Sequence, residues 1–230
     1  MKVYSNDKLI KRNHMLGNVF SIGALVILAI GFFLPGGDSS IPRSILALVC
    51  LIVGFVSFQV GNYFVNRWGK SPRPDEILTQ SLKGLDDKYS LYHYETPISH
   101  LLVGPPGVIA LLPYGQNGTL IFDPKKKEWK QHGGNIFLKF FGQEGLGKPN
   151  AEAMIEQRDL KGFLEINGLT TEMMKPEVLL VFTNTKAEIQ GEGSAIPHVT
   201  AARLKDYIRK KAKGNNLNSD VINTKFQKYK

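Results

Sequence analysis

A chain of 230 residues with 43% hydrophobic side chains has room for one ordinary domain and something smaller. Its single cysteine, Cys50, excludes an intrachain disulfide and a cysteine-based metal cluster. The net charge of +9 is divided along the chain: +5 over residues 1–75, −3 over residues 76–202 and +7 over residues 203–230. The slightly acidic middle therefore lacks the general basic footprint of a nucleic-acid-binding domain.

Residues 1–14 read as a basic N-terminal tail with Lys2, Lys8, Lys11 and Arg12. Between Arg12 and Asp38 lie 25 residues without a charge, and between Arg43 and Arg67 lie 23 more. Each run can cross a hydrocarbon core of about 30 Å as a helix, which takes roughly 20 residues. A signal peptide fits poorly, because the first run is long, ends in the turn Leu34-Pro35-Gly36-Gly37 and is followed at once by a second run. Two buried soluble helices fit poorly as well, since neither run has a polar face.

The reading is a transmembrane hairpin, with spans at 15–34 and 44–66 and an external loop at 35–43. Basic residues crowd the outer ends of both spans, Arg67, Lys70 and Arg73 following the second, so the positive-inside rule places both termini and the soluble part in the cytoplasm. Tyr63 and Trp68 stand where an interfacial aromatic belt would lie, and Cys50 is expected to face lipid or a neighbouring helix.

Residues 67–75 form a short linker. Asp75 is expected to cap a helix over 76–87, with Ile77, Leu78, Leu82 and Leu85 at helical spacing. Strands are predicted at 89–95, 98–104, 107–112 and 119–122, the third ending or bulging at Pro113 because proline lacks the ladder N–H. The run Asp123 to Lys130 reads as a turn with solvated lysines, after which Trp129 packs onto the sheet.

A second helix is predicted over 151–166, with Met154, Leu160, Phe163 and Leu164 inward. A continuous apolar run at 177–183 suits a strand covered on both faces. A short strand at 196–199 and a basic helix at 201–213 follow, and the polar tail 214–230 is expected to be disordered. The order describes an α/β sandwich with a mixed sheet.

That order and several local pieces resemble the nuclease-related domain family, NERD, over residues 76–213. The pieces are Glu76 with the apolar positions after it, HLLVGPPGVIAL from His100, Gly118, Trp129, KPNAE from Lys148 and VLLVFTN from Val178. The resemblance implies an α/β sandwich of the restriction-endonuclease-like, PD-(D/E)XK type. It also implies a hairpin that reads like I-D-H-x-x-x-G-x-x-G-V-x-x-x-E-x-K.

Carried over by position, the family's aspartate falls on Ser99, its glutamate on Leu112 and its lysine on Tyr114. The first-helix glutamate is kept as Glu76, and a glutamine common after proline in the second helix falls on Glu152. Phosphodiester hydrolysis in this fold needs carboxylate oxygens around a hard divalent cation. Ser99 and Leu112 supply no carboxylate, and a tyrosine of ordinary pKa about 10 cannot replace a lysine cation at pH 7.

The expectation is thus a membrane-anchored docking module without catalysis, metal or cofactor. The alternative is a magnesium-dependent nuclease with a rebuilt site. The partners considered are the lipid bilayer, anionic head groups, another protein or nucleic acid, with Arg203, Arg209, Lys210, Lys211 and Lys213 as contact residues. Five histidines, among them His93 and His100, show no metal-ligand spacing.

Overall fold

The computed structural model describes residues 1–33, 43–134, 145–170, 174–213, 222 and 224–226. The chain divides into two compact units, one made of Asp7–Arg73 and the other joining Met1–Asn6 to the residues from Pro74 onward.

The first unit is a pair of helices, α1 (Asp7–Phe33) and α2 (Arg43–Phe64), with α2 running on into a π-helical turn at Val65–Gly69. They pack along a seam of small residues. A Cβ on Gly54 would come within 2.7 Å of Leu28, one on Gly31 within 2.6 Å of the Cys50 Cβ, and one on Gly61 within 2.5 Å of Ser21. Small residues let backbones approach closely, which is how apolar helices gain contact without a hydrophobic drive between them. Cys50 is therefore a packing thiol.

The large apolar side chains face outward. Only 17% of the apolar window of α1 and 11% of that of α2 is buried, and Ile22, Leu25, Ile30, Leu48, Leu51 and Phe55 are all exposed. Such a pattern is the reverse of a soluble core helix. At one end of the pair Tyr63 meets Phe64 and Trp68 edge to face and Phe64 lies tilted on Trp68, with the Arg67 guanidinium 5.2 Å from the Trp68 ring centre. Trp68 is buried in this cluster while Tyr63 is exposed. The helix α1 also begins two turns before the predicted span, so Lys8, Lys11 and Arg12 ride on helix rather than on a loose tail.

The second unit is a three-layer α/β body. Its six-stranded sheet has the order β1-β2-β3-β4-β7-β9, where β1 is Lys2–Ser5, β2 Ser90–His93, β3 His100–Gly104, β4 Gly107–Tyr114, β7 Glu177–Phe182 and β9 His198–Thr200. The pairings β2/β3 and β3/β4 are antiparallel, and β1/β2, β4/β7 and β7/β9 are parallel. A smaller sheet of β6 (Glu128–His132), β5 (Thr119–Asp123) and β8 (Glu188–Gln190) completes it.

Strand alternation sorts the apolar residues onto two faces. Leu101, Val103, Ala110, Leu180 and Phe182 pack with Leu160, Phe163 and Leu164 of α4 (Pro149–Ile166). Leu91, Leu102, Ile109, Leu111, Leu179 and Val181 pack with Leu78 and Leu82, in and just after α3 (Pro74–Ser81), and with Leu204 and Ile208 of α5 (Ala201–Ala212). The continuous apolar run of β7 follows from this double cover. At the β3–β4 turn Gly107 has φ +121°, and a Cβ there would meet the Met174 carbonyl oxygen at 2.7 Å, so only glycine fits.

Several expectations are corrected here. The strand β4 runs through Pro113, which pairs with Val181. Its ladder with β3 stops at Ala110, so Pro113 lies where only one neighbour asks for hydrogen bonds. Asp75 is not outside the helix as a cap but within the first turn of α3, and buried. Met154 is 72% exposed.

The polar tail is not featureless either. Ile222 and Phe226 are fully buried in the α4-side core, with the Phe226 ring 5.2 Å from Phe163 and 6.0 Å from Tyr92. The predicted loop 35–43 and the remainder of the tail fall almost wholly outside the described residues. So does the cluster 136–141.

Candidate functional site

Tyr114 ends β4 and points to the α4 side of the sheet, where it is buried beside Phe182. Its hydroxyl donates to Glu152 Oε2 at 2.7 Å. The other oxygen of Glu152, Oε1, accepts from the Lys148 backbone N–H at 3.0 Å, at the N-terminus of α4. A carboxylate there is favoured by the exposed N–H groups of the first turn. Burial and then the Glu152 carboxylate push the Tyr114 hydroxyl pKa far above its ordinary value. The tyrosine is a fixed neutral donor at physiological pH.

Two of the residues singled out in the sequence, 38 positions apart, thus meet. Leu112 lies two residues earlier on the same face of β4, half-buried against the same core. Ser99 sits just before β3, where its carbonyl accepts the Tyr94 N–H at 2.9 Å. Glu76 lies on α3, whose buried residues pack on the opposite face of the sheet from Tyr114.

The donor set does not fit the divalent cation that the resemblance implies. Leu112 has no ligand atom, and both oxygens of Glu152 already accept hydrogen bonds. Among the described residues no three His, Cys, Asp or Glu side chains gather as a ligand set.

Sequence reasoning missed a second polar cluster, on the α3 side. His93 and His100 face each other across the β2–β3 ladder, with their Nδ1 atoms 2.9 Å apart. The Thr79 hydroxyl lies 2.9 Å from His93 Nε2, and the Tyr94 ring packs on His100. Both imidazoles are buried. A hydrogen bond between two Nδ1 atoms needs one protonated and one bare nitrogen, so the pair carries at most one positive charge. The only sequence signal for this pair is its flanking of a short loop between two apolar runs.

The basic helix α5 divides its cations between two uses. Arg209 donates to the Gly84 carbonyl at 3.0 Å and Lys205 to the Lys83 carbonyl at 3.3 Å, satisfying carbonyls that follow α3. Lys211 pairs with Glu177, which also accepts the Tyr207 hydroxyl at 2.8 Å. Burial, and then the nearby Lys175, lower the Lys211 pKa. Arg203, Lys210 and Lys213 are exposed and make no hydrogen bond or ion pair among the described residues.

The hairpin tip of β5–β6 likewise exposes Lys125, Lys126 and Lys127. Asp123 accepts the Lys130 ammonium and, there, two backbone N–H groups. These bonds hold its carboxyl down at about pKa 2.

Comparison of the chain with protein-family models, with curated proteins and with solved structures finds no match.

Proposed function

We propose that this protein is a membrane-anchored docking module, a NERD-like body that has exchanged nuclease chemistry for a structural pair of side chains. The reading rests on the Tyr114–Glu152 hydrogen bond. Where the resemblance implies a ligand carboxylate and a lysine, this chain has Leu112 and a buried tyrosine hydroxyl committed to the carboxylate of α4. The succession α3-β2-β3-β4-α4-β7, with an antiparallel trio and a parallel fourth strand, supports kinship with the restriction-endonuclease-like sandwich.

The α1–α2 pair supplies the anchor. Its outward faces are large, apolar and uncharged, which suits lipid. The chain leaves the body at Asn6 and re-enters it at Pro74, so an even number of crossings keeps both connections on one side, and the basic flanks make that side the cytoplasm.

The test is a cleavage assay on the full chain in detergent, with plasmid, single-stranded DNA and RNA and with magnesium or manganese, beside Glu76→Ala/Glu152→Ala. Removing one electrostatic contributor from an active site costs about 100-fold to 1000-fold, so loss of both ligand and cation leaves no cleavage above the double variant. Cleavage that vanishes in the double variant overturns the reading in favour of a rebuilt metal-dependent site.

A further inference from the structure

Resting on the membrane-anchored reading, we propose that the exposed face of α5 docks on an anionic lipid surface through Arg203, Lys210 and Lys213. Spacings of seven and ten residues bring Arg203, Lys210 and the C-cap residue Lys213, whose backbone is still helical, onto one face of the helix. Asp206 shares the stripe and leaves it net positive. The other cations of α5 are already used inside the body: Arg209 and Lys205 on carbonyls, Lys211 on Glu177. Among the described residues the three on the stripe have no hydrogen-bond or ion-pair partner.

The stripe is also rigidly presented. Leu204 and Ile208 are fully buried beneath it, so no helix has to fold on binding and little ordering entropy is lost. Among the exposed side chains of α5 there is no large apolar residue. Contact would therefore be with head groups through charge, unlike an amphipathic helix that sinks its apolar face into the acyl boundary.

Two further observations favour a bilayer. The tether is short: residues 70–73 alone separate the π-helical turn from α3, a stretch of chain no longer than about 15 Å at roughly 3.5 Å per residue. At the resulting high effective concentration a weak charge attraction suffices. The stripe also opens the segment from residue 203 onward that carries +7, whereas Lys125, Lys126 and Lys127 belong to a region carrying −3. Nucleic acid is the less suited partner, because the stripe carries no aromatic side chain on which bases could stack.

The experiment uses the full chain in nanodiscs, with Cys50→Ser and a nitroxide on Ala202→Cys, and reads the label's accessibility to a water-soluble relaxing agent. Flotation with vesicles under alkaline carbonate is run in parallel to check anchoring. Each cation near an anionic surface is worth about fivefold in binding, so three cations offset by Asp206 shift the docked-to-free ratio about 25-fold between phosphatidylcholine and phosphatidylglycerol-rich discs at low salt.

The expected result is strong protection in anionic discs only, lost at high salt and in Arg203→Glu/Lys210→Glu/Lys213→Glu, but kept in Lys125→Glu/Lys126→Glu/Lys127→Glu. Equal accessibility in both lipids, or equal loss in both triple variants, overturns the docking face. So does protection by an oligonucleotide in neutral discs, which would assign the stripe to nucleic acid. Failure to float defeats the anchored reading itself, and is thereby distinguished from failure of the face.

Discussion

The two units of this chain use the same kind of residue in opposite directions. In the α/β body Leu102, Leu111, Leu160 and Leu179 are fully buried, on both faces of the sheet. In the α1–α2 pair Leu25 and Leu51 stand outward, 64% and 58% exposed, while glycine, serine and cysteine line the seam. The body is held by removing apolar area from water, at about 25 cal/mol per Å². The pair cannot use that term against itself, because its outer faces remain apolar whatever the seam does. It needs a solvent that accepts them, and close packing to hold the two helices together.

Truncation should separate the two logics most sharply. Leu179→Ala in β7 leaves a cavity under both α3 and α5 and is expected to cost about 2–5 kcal/mol of body stability. Leu25→Ala on the outer face of α1 should leave the denaturation midpoint of the body unchanged, as read by near-ultraviolet circular dichroism in detergent. Equal effects would erase the contrast.

Enlarging a seam residue should do in the pair what cavity formation does in the body, with a smaller effect. Gly54→Leu drives a side chain into Leu28. Overpacking of this kind costs about 1–3 kcal/mol, and is expected to lower energy transfer between probes placed on the two helices. Gly23→Leu, which meets nothing within 4 Å, is the matched control.

The smallest effect belongs to the site. Tyr114→Phe removes one hydrogen bond and leaves Glu152 held by the Lys148 N–H, so the expected loss is about 1 kcal/mol, read as a lower thermal midpoint. A loss as large as that of Leu179→Ala would mean that the pair anchors α4 rather than merely occupying the position.

Legibility in the sequence followed the strength of the local pattern. The strands β3, β4 and β7 announce themselves as apolar runs between breakers, and α4 and α5 as apolar positions at helical spacing. The sequence could not reveal β1, because Lys2–Ser5 is four residues of mixed character that become a strand only by pairing with β2. Three-residue β8 is hidden for the same reason. Pro113 misled because the ladder it would break is absent at that point.

Ile222 and Phe226 were submerged in a polar composition, although their spacing of four is helical and the Phe226 N–H does bond the Ile222 carbonyl. Tyr114 and Glu152 were singled out from the resemblance. Their hydrogen bond was not, since it depends on how α4 is set against the sheet. The His93–His100 pair was invisible for a like reason: register, not spacing, brings it together.

The contrast between the units stands or falls on where the outward leucines reside. In intact cells, with Cys50→Ser as background, a membrane-impermeant maleimide applied from outside is predicted to label Ser39→Cys between the two helices and to leave Ala202→Cys on α5 unlabelled until the cells are lysed. Labelling of Ala202→Cys from outside, or of neither position before lysis, would contradict a hairpin that spans the membrane and holds the α/β body in the cytoplasm.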